Sequence, residues 1–519
     1  MPDDHVLIIG AGIGGLAAAI DLAGQGFRVS IFERSGAPGG KMRRASVGGL
    51  NLDAGPTVLT LRDVFDALFA DAGGVLEDFV ALRPADVLAR HAWSGTERLD
   101  LFADTDRTAD AIGTFAGAAD ARGFLAFSRR SREIFETLDN TFMRAQRPNP
   151  VSLVARTPLR DLGRLMRISP FATLWSELGR HFRDPRLRQL FGRYATYCGA
   201  SPFAAPATLM LVAHAEQNGV WLVEGGMHRL AEALARLAGQ LGATIHYGAH
   251  VEEILVRNGR AVGIALRSGE QIDASCIVAN VDAAAISGGF LGQSAARGVA
   301  PIRPESRSLS AVTFLLAARP RGFSLAHHNV IFSRDYEAEF RDIFERGRIP
   351  ENPTVYVCAQ DRDDQGAGAP DGAERLLCLV NAPPVGDRQF FDAAEIERCQ
   401  QRMIGQMDRC GLQLEIAAMV TASPSDFDRL YPATGGALYG MASHGWTASF
   451  RRPGARTKIP GLYLAGGSAH PGPGVPMAAM SGRLAAHCVM GDLASTRRFH
   501  PAAMRGGMSM RSATTAPTG

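Results

Sequence analysis

Residues 5–41 read HVLIIGAGIGGLAAAIDLAGQGFRVSIFERSGAPGGK, and the order of their parts decides the fold. His5 to Ile9 is an apolar run of strand length, Gly10-x-Gly12-x-x-Gly15 is a tight turn, and Leu16 to Gln25 is an alanine-rich helical segment ended by Gly26. A second strand, FRVSIF, runs into Glu33. Gly10 permits the turn, Gly12 lets the backbone approach a pyrophosphate, and Gly15 allows the helix to pack closely on the strand; Gly14 belongs to the same turn. The helix amino terminus offers its unpaired N–H groups to phosphate oxygens. Glu33 stands at the right remove to hold ribose hydroxyls. The unit predicts an α/β chain with a Rossmann-like dinucleotide-binding domain.

That motif by itself leaves flavin and nicotinamide dinucleotides open. A second glycine turn, Gly39-Gly40-Lys41, follows directly after the acid and suits a long flavin dinucleotide lying across the sheet, with the Lys41 ammonium available to its phosphates.

The rest of the chain sets limits. Its 519 residues suit two domains, or three, and can enclose a large cofactor. A net charge of +3 with 21% charged residues argues against nucleic-acid binding. The basic residues are almost all arginine, with Lys41 and Lys458 the only lysines. Seven scattered cysteines show no CxxC spacing, which points to neither a zinc site nor a disulfide framework and fits a reducing cytoplasm. The start lacks the pattern of a signal peptide, no run approaches a membrane span, and 496–519 lacks apolar periodicity, as a loose tail would.

The paired glycine motifs, followed by LNLDAGPTVL with Asp53, Gly55 and Pro56, resemble the FAD-dependent family that contains amine oxidases, protoporphyrinogen oxidase and carotenoid desaturases. Near the end, GLYLAGGSAHPGPGVPMAAMSGRLAAHCV reads as a strand, a glycine-rich turn and a small-residue helix from about Val475. It resembles the carboxy-terminal flavin motif of carotenoid desaturases, with Gly466, Gly467, His470, Pro471, Gly474, Pro476 and Met477 in the match. His470 before proline reads as a hydrogen-bonding scaffold in preference to an acid–base. A third stretch, from Trp221 to Asn280, returns to strands around an amphipathic helix at about 229–241. There Val251 reads equally as a core valine or as a contact to the adenine, and the resemblance favours the contact.

Segments 1–95, 218–305 and 431–495 are therefore expected to build the FAD-binding domain. Insertions 96–217 and 306–430 are expected to build a mixed α+β substrate domain. The first is mainly helical by pattern, and the second carries strand candidates in VTFLLA, NVIFS, TVYVCA and RLLCLVN. No internal repeat is present.

Within the family the absence of any lysine between Lys41 and Lys458 argues against an amine oxidase, which places a lysine near flavin N5. The run FRDPRLRQLFGRYATYCGASPFAAPATLMLVAHAEQNGVWLVEGGM resembles carotenoid desaturases throughout. The block YPATGGALYGMASHGWTASFRRPGAR is similar to the hydroxycarotenoid 3,4-desaturases, also called methoxyneurosporene dehydrogenases. The resemblance implies desaturation of an acyclic hydroxylated carotenoid: hydride leaves C4 for flavin N5, the cation spreads over the polyene, and a proton leaves C3. Phytoene desaturation is the alternative activity. A prenyl escort protein of the same fold is the alternative of another class, disfavoured by the intact dinucleotide motif. The final electron acceptor, oxygen or a quinone, stays open.

Positioning and exclusion of water carry such a reaction, so only a weak base is required. Arg160, Asp161 and Arg164 form an RDxxR element resembling one near the desaturase substrate pocket, which makes Asp161 the candidate base; pairing with its arginine neighbours is the competing reading. Residues 151–193 carry nine arginines against three acids, interleaved with Leu159, Leu162, Leu165, Met166, Phe171, Leu174 and Trp175. That pattern predicts a peripheral membrane-docking surface, with a charged helical cap as the plainer reading.

Overall fold

A computed structural model of the chain describes residues 4–146, 149, 152–153, 155 and 171–499. The opening strand His5–Ile9 is central because its apolar side chains are covered on both faces, as in a parallel sheet. Five parallel strands lie in the order Leu462–Leu464, Cys276–Ala279, His5–Ile9, Arg28–Glu33, Thr244–Tyr247. They come from three distant parts of the chain, brought into register with Val6 beside Cys276 and Ile277 beside Leu462.

The helix Ile13–Gly24 follows the first turn and packs on the long Val475–Phe499 helix. The approach is close because glycines face each other: a Cβ on Gly482 would overlap the Gly14 carbonyl. Val251 opens the strand Val251–Arg257 of a three-stranded antiparallel sheet, whose apolar face joins Ile9, Phe32 and Ala279 in one buried cluster.

A seven-stranded sheet runs in the order Gln413–Ala422, Ser310–Arg321, Glu374–Ala382, Val355–Ala359, His328–Ile331, Val87–Ala92, Arg98–Phe102. The four strand candidates of the second insertion fall within it. Two strands depart from expectation. Val87–Ala92 lies inside the range assigned to the FAD-binding domain, yet it pairs in parallel with His328–Ile331 and so belongs to this sheet. Arg98–Phe102 opens an insertion read as mainly helical; its strict alternation, with Leu99 and Leu101 buried, is a strand pattern, and it closes a hairpin with Val87–Ala92.

The helices Thr105–Ala116, Ala118–Leu138, Leu174–His181 and Pro185–Gly192 cover one side of this sheet. Asp104, Thr173 and Asp184 cap three of them by accepting from backbone N–H groups of the first turn. Their core is aromatic, with Phe127 and Phe182 each 4.7 Å from Phe191 between ring centroids. This packing holds the turn Arg193–Cys198 on the inner side of the layer.

Candidate functional site

The first turn, the second glycine pair and the carboxy-terminal loop converge around Asn280, which follows the strand Cys276–Ala279. A Cβ on Gly12 would lie 2.7 Å from Asn280 Nδ2, and one on Gly14 would lie 2.8 Å from the Gly466 nitrogen. A Cβ on Gly40 would lie 3.2 Å from Gly12 Cα. Three loops therefore meet at backbone distance, at the carboxyl ends of parallel strands, where this sheet type holds its ligand. Gly12 caps the first helix without any side-chain acceptor, which leaves its first-turn N–H groups for an anion. Asn280 Nδ2 donates to the Gly10 carbonyl at 3.2 Å and fixes the turn from the next strand.

Glu33 is buried at the end of its strand. Its two oxygens accept from the backbone N–H groups of Ala11 and Ser35, each at 2.8 Å. A carboxylate oxygen has two acceptor sites, so one on each remains for a diol. Asp282, two residues past Asn280, accepts from Ala284 N–H through Oδ1, while its buried Oδ2 has no hydrogen-bond partner. An orphaned buried acceptor beside an anion cradle fits a polyhydroxylated, pyrophosphate-bearing ligand such as FAD.

The block from Tyr431 to Arg456 straps this cradle. The Tyr431 hydroxyl donates to the Gly40 carbonyl at 3.3 Å, and Lys41 Nζ donates to the Leu438 carbonyl at 2.6 Å. Arg452, buried, donates to the carbonyls of Tyr439 at 3.0 Å, Met441 at 2.6 Å and Gly467 at 3.4 Å. Burial pushes the Lys41 ammonium and the Arg452 guanidinium below their usual pKa values, and the Asp282 carboxylate offsets part of that cost at both.

Each expected cofactor residue has a clear place. Gly55 and Pro56 follow the strand Leu50–Asp53, and a Cβ on Gly55 would overlap the Lys41 carbonyl. Gly466 and Gly467 form the turn after Leu462–Leu464, with Pro476 and Met477 in the first turn of the helix that follows. His470 Nε2 lies 3.0 Å from the Phe142 carbonyl and 2.9 Å from that of Ala145. A ring nitrogen between two carbonyls is a donor, so His470 ties the flavin loop to the helical layer, as the scaffold reading expects.

Beyond Gly55 and Pro56 a polar network runs into the seven-stranded sheet. The hydroxyls of Thr57 and Tyr356 are 2.7 Å apart, and Tyr356 is 2.8 Å from His328 Nδ1. Arg193 lies 5.5 Å over the Tyr356 ring and donates to the Tyr197 hydroxyl at 3.2 Å. Tyr194 and Tyr197 both donate to Glu216, at 2.7 and 2.9 Å. Burial pushes the Glu216 carboxyl and the Tyr356 phenol above their ordinary pKa values.

The family model of flavin-containing amine oxidoreductases matches residues 13–490. The chain belongs to this family. A hydroxyneurosporene desaturase of Rubrivivax gelatinosus is 53% identical over 514 residues, covering 98% of each chain. Another hydroxyneurosporene desaturase, from Cereibacter sphaeroides, is 46% identical over 95% of this chain and 99% of its own. Among solved structures, an oxidoreductase from Methanosarcina mazei aligns with a TM-score of 0.60 at 17% identity, over 94% of this chain and 100% of its own. That last likeness concerns the fold alone.

The chain is thus an FAD-dependent oxidoreductase, and the glycine cradle, Glu33 and Asp282 are the groups that fit its flavin. Asp161, the candidate base, lies outside the described residues, as do Arg160, Arg164 and Arg167. The sequence reading missed Asn280 and Asp282, although their position just past a parallel strand is a usable signal. It also missed Arg452, one arginine among many, and the Thr57–Tyr356–His328 network, which only the pairing of distant strands assembles.

Proposed function

We propose that this flavoprotein introduces the C3–C4 double bond into an acyclic, 1-hydroxylated carotenoid. The observation that carries the reading is 53% identity across 98% of the chain to a protein named for desaturating hydroxyneurosporene. The strap agrees with it, since the block that resembles hydroxycarotenoid 3,4-desaturases is the one whose Tyr431, Leu438 and Arg452 close over the flavin cradle.

Bound FAD supplies a two-electron acceptor for the hydride that leaves C4. The chain's own residues bind and orient. Gly10, Gly12, Gly14 and Gly15 would admit the pyrophosphate, Glu33 would take the ribose hydroxyls, and Val251, buried with Ile9 and Phe32, would border the adenine. Gly466, Gly467, Pro476 and Met477, in the turn after Leu462–Leu464 and the first turn of the next helix, would face the flavin. Asp161 is the proposed acceptor of the C3 proton; the cation is delocalised over the polyene, so a weak base suffices.

No helix of the described residues is long and apolar enough to cross a membrane. We infer a peripheral contact through residues 151–193, where the substrate passes from the bilayer. Exposed Phe171 supports it, packing edge-on against Trp446 at 5.5 Å. Not every arginine of that stretch serves it. Arg186 pairs with Asp184 and Glu97, and Arg193 is held in the inner network.

The deciding experiment mixes purified holoprotein anaerobically with a 1-hydroxylated acyclic carotenoid, or with phytoene, in anionic vesicles. Bleaching of the flavin by the hydroxylated substrate, with a red-shifted polyene product, is the expected result. Bleaching by phytoene alone, or by neither, overturns the reading. Repeating turnover with oxygen or with a quinone then identifies the final acceptor.

A further inference from the structure

His327, His328 and Cys358 gather at the seven-stranded sheet, and one ligand atom from each falls within 4.8 Å of the other two. The sheet fixes two of them. His328 and Cys358 are directly opposed in the antiparallel pairing of His328–Ile331 with Val355–Ala359, which puts their side chains on one face. His327 precedes that strand and brings its Nε2 to 3.5 Å from Cys358 Sγ.

The other ring nitrogens are already engaged. His327 Nδ1 is 2.6 Å from the Arg362 carbonyl, which can only accept, so Nδ1 carries the proton and Nε2 holds a lone pair. His328 Nδ1 is bonded to the Tyr356 hydroxyl, and its Nε2 is buried with no hydrogen-bond partner. His328 itself is 4% exposed. Histidines that ligate a metal are oriented in this way, through a bond from the distal nitrogen to a carbonyl or another polar group.

We propose that His327 Nε2, His328 Nε2 and Cys358 Sγ bind a zinc(II) ion. A tetrahedral ion with bonds of about 2.0 Å to nitrogen and about 2.3 Å to sulfur sets its nitrogen and sulfur ligands about 3.5 Å apart; His327 Nε2 and Cys358 Sγ already have that separation, and the His328 ring, within 4.8 Å, would close by about 1 Å on binding. A thiolate with two neutral imidazoles matches the borderline softness of zinc. Binding replaces the thiol proton: Cys358 S–H breaks, S–Zn forms, and the proton leaves to water without any change of oxidation state. A cavity of about 280 Å³ lined by Asp53, Thr57, His327, Cys358 and Gln360 adjoins two of the three ligands, so a water can complete the shell. The ion cross-links two strands beside Tyr356.

The test uses the flavin-loaded protein, purified with zinc present and dialysed, with metal and flavin quantified together. One zinc per flavin is expected in the parent. Cys358→Ser and His328→Gln are expected to retain flavin and lose zinc by at least about tenfold. Cobalt(II) in place of zinc is expected to give tetrahedral ligand-field bands to the red of flavin absorption, absent from Cys358→Ser. Parent protein without zinc, or variants that keep flavin and zinc alike, overturns the proposal. Should a variant lose its fold, the cobalt spectrum of the parent decides, and lack of the tetrahedral bands overturns it.

Discussion

Thr57 and Tyr356 share a hydrogen bond of 2.7 Å, although 299 residues separate them. Thr57 follows the Gly55–Pro56 turn of the flavin cradle, and Tyr356 lies in the seven-stranded sheet, so the bond couples the two. Tyr356→Phe keeps the ring under Arg193 but strips a partner from both Thr57 and His328. We expect an unfolding free energy lower by about 1–3 kcal/mol, read by denaturant titration, with flavin content retained. A variant as stable as the parent would show that water replaces the phenol without cost.

The cradle makes a graded prediction. At Gly12 an added methyl meets a side-chain atom, Asn280 Nδ2, at 2.7 Å. At Gly14 it meets the Gly466 backbone at 2.8 Å. Gly14→Ala is therefore expected to impair flavin retention through a backbone shift that trimming Asn280 to alanine does not repair. For Gly12→Ala the same trimming restores part of the packing. Gly12→Val, which fills the approach to the pyrophosphate, is expected to abolish flavin retention. The ratio of flavin to protein absorbance after gel filtration measures all five. Equal retention in Gly14→Ala and the parent would refute the close approach.

Buried His91 and half-buried His444 set a pH dependence. Burial pushes the His91 imidazole down to about 3 and that of His444 to about 4, against an ordinary value near 6.5. The unfolded chain therefore binds protons that the folded chain excludes. Their contribution is fully present above about pH 6.5 and is lost as pH falls toward 4, with a slope of up to about 1.4 kcal/mol per pH unit for each group. His444 Nε2 accepts from Ser201 N–H at 2.9 Å, and His444→Gln keeps an acceptor that does not titrate. Thermal melts from pH 7 to pH 4 should show a shallower decline in His444→Gln than in the parent.

Local patterns made the cradle legible. Strand, glycine turn, helix and acid lie within 29 residues, His5 to Glu33, and each step has a steric reason that sequence displays. The carboxy-terminal motif was legible for the same reason. What escaped depends on distant pairing. Val87–Ala92 has no local mark assigning it to one sheet or the other; its neighbour, His328–Ile331, arrives more than 230 residues later. Arg452 escaped because its three carbonyl acceptors belong to loops whose approach only the closed fold defines. Asn280 and Asp282 were visible as polar residues after a strand, but nothing in their spacing tells which one faces the turn and which keeps a free oxygen.

The proposed membrane contact separates into a charged part and an apolar part. Phe171 is 78% exposed and Trp446 46%, and the two rings touch although they lie 275 positions apart. Insertion of aromatic rings at an interface depends little on lipid charge, whereas guanidinium attraction to anionic head groups is screened within about 8–10 Å at physiological salt. Phe171→Ser with Trp446→Ser is therefore expected to weaken binding to neutral and anionic vesicles alike. Reversing Arg160, Arg164 and Arg167 to glutamate is expected to weaken binding to anionic vesicles only, and to remove its salt dependence. Flavin content should stay intact in both sets. Vesicle flotation at low and high salt reads the four combinations. If the parent floats equally poorly with both lipids at low salt, the carotenoid reaches the site by another route and this face is a solvated cap.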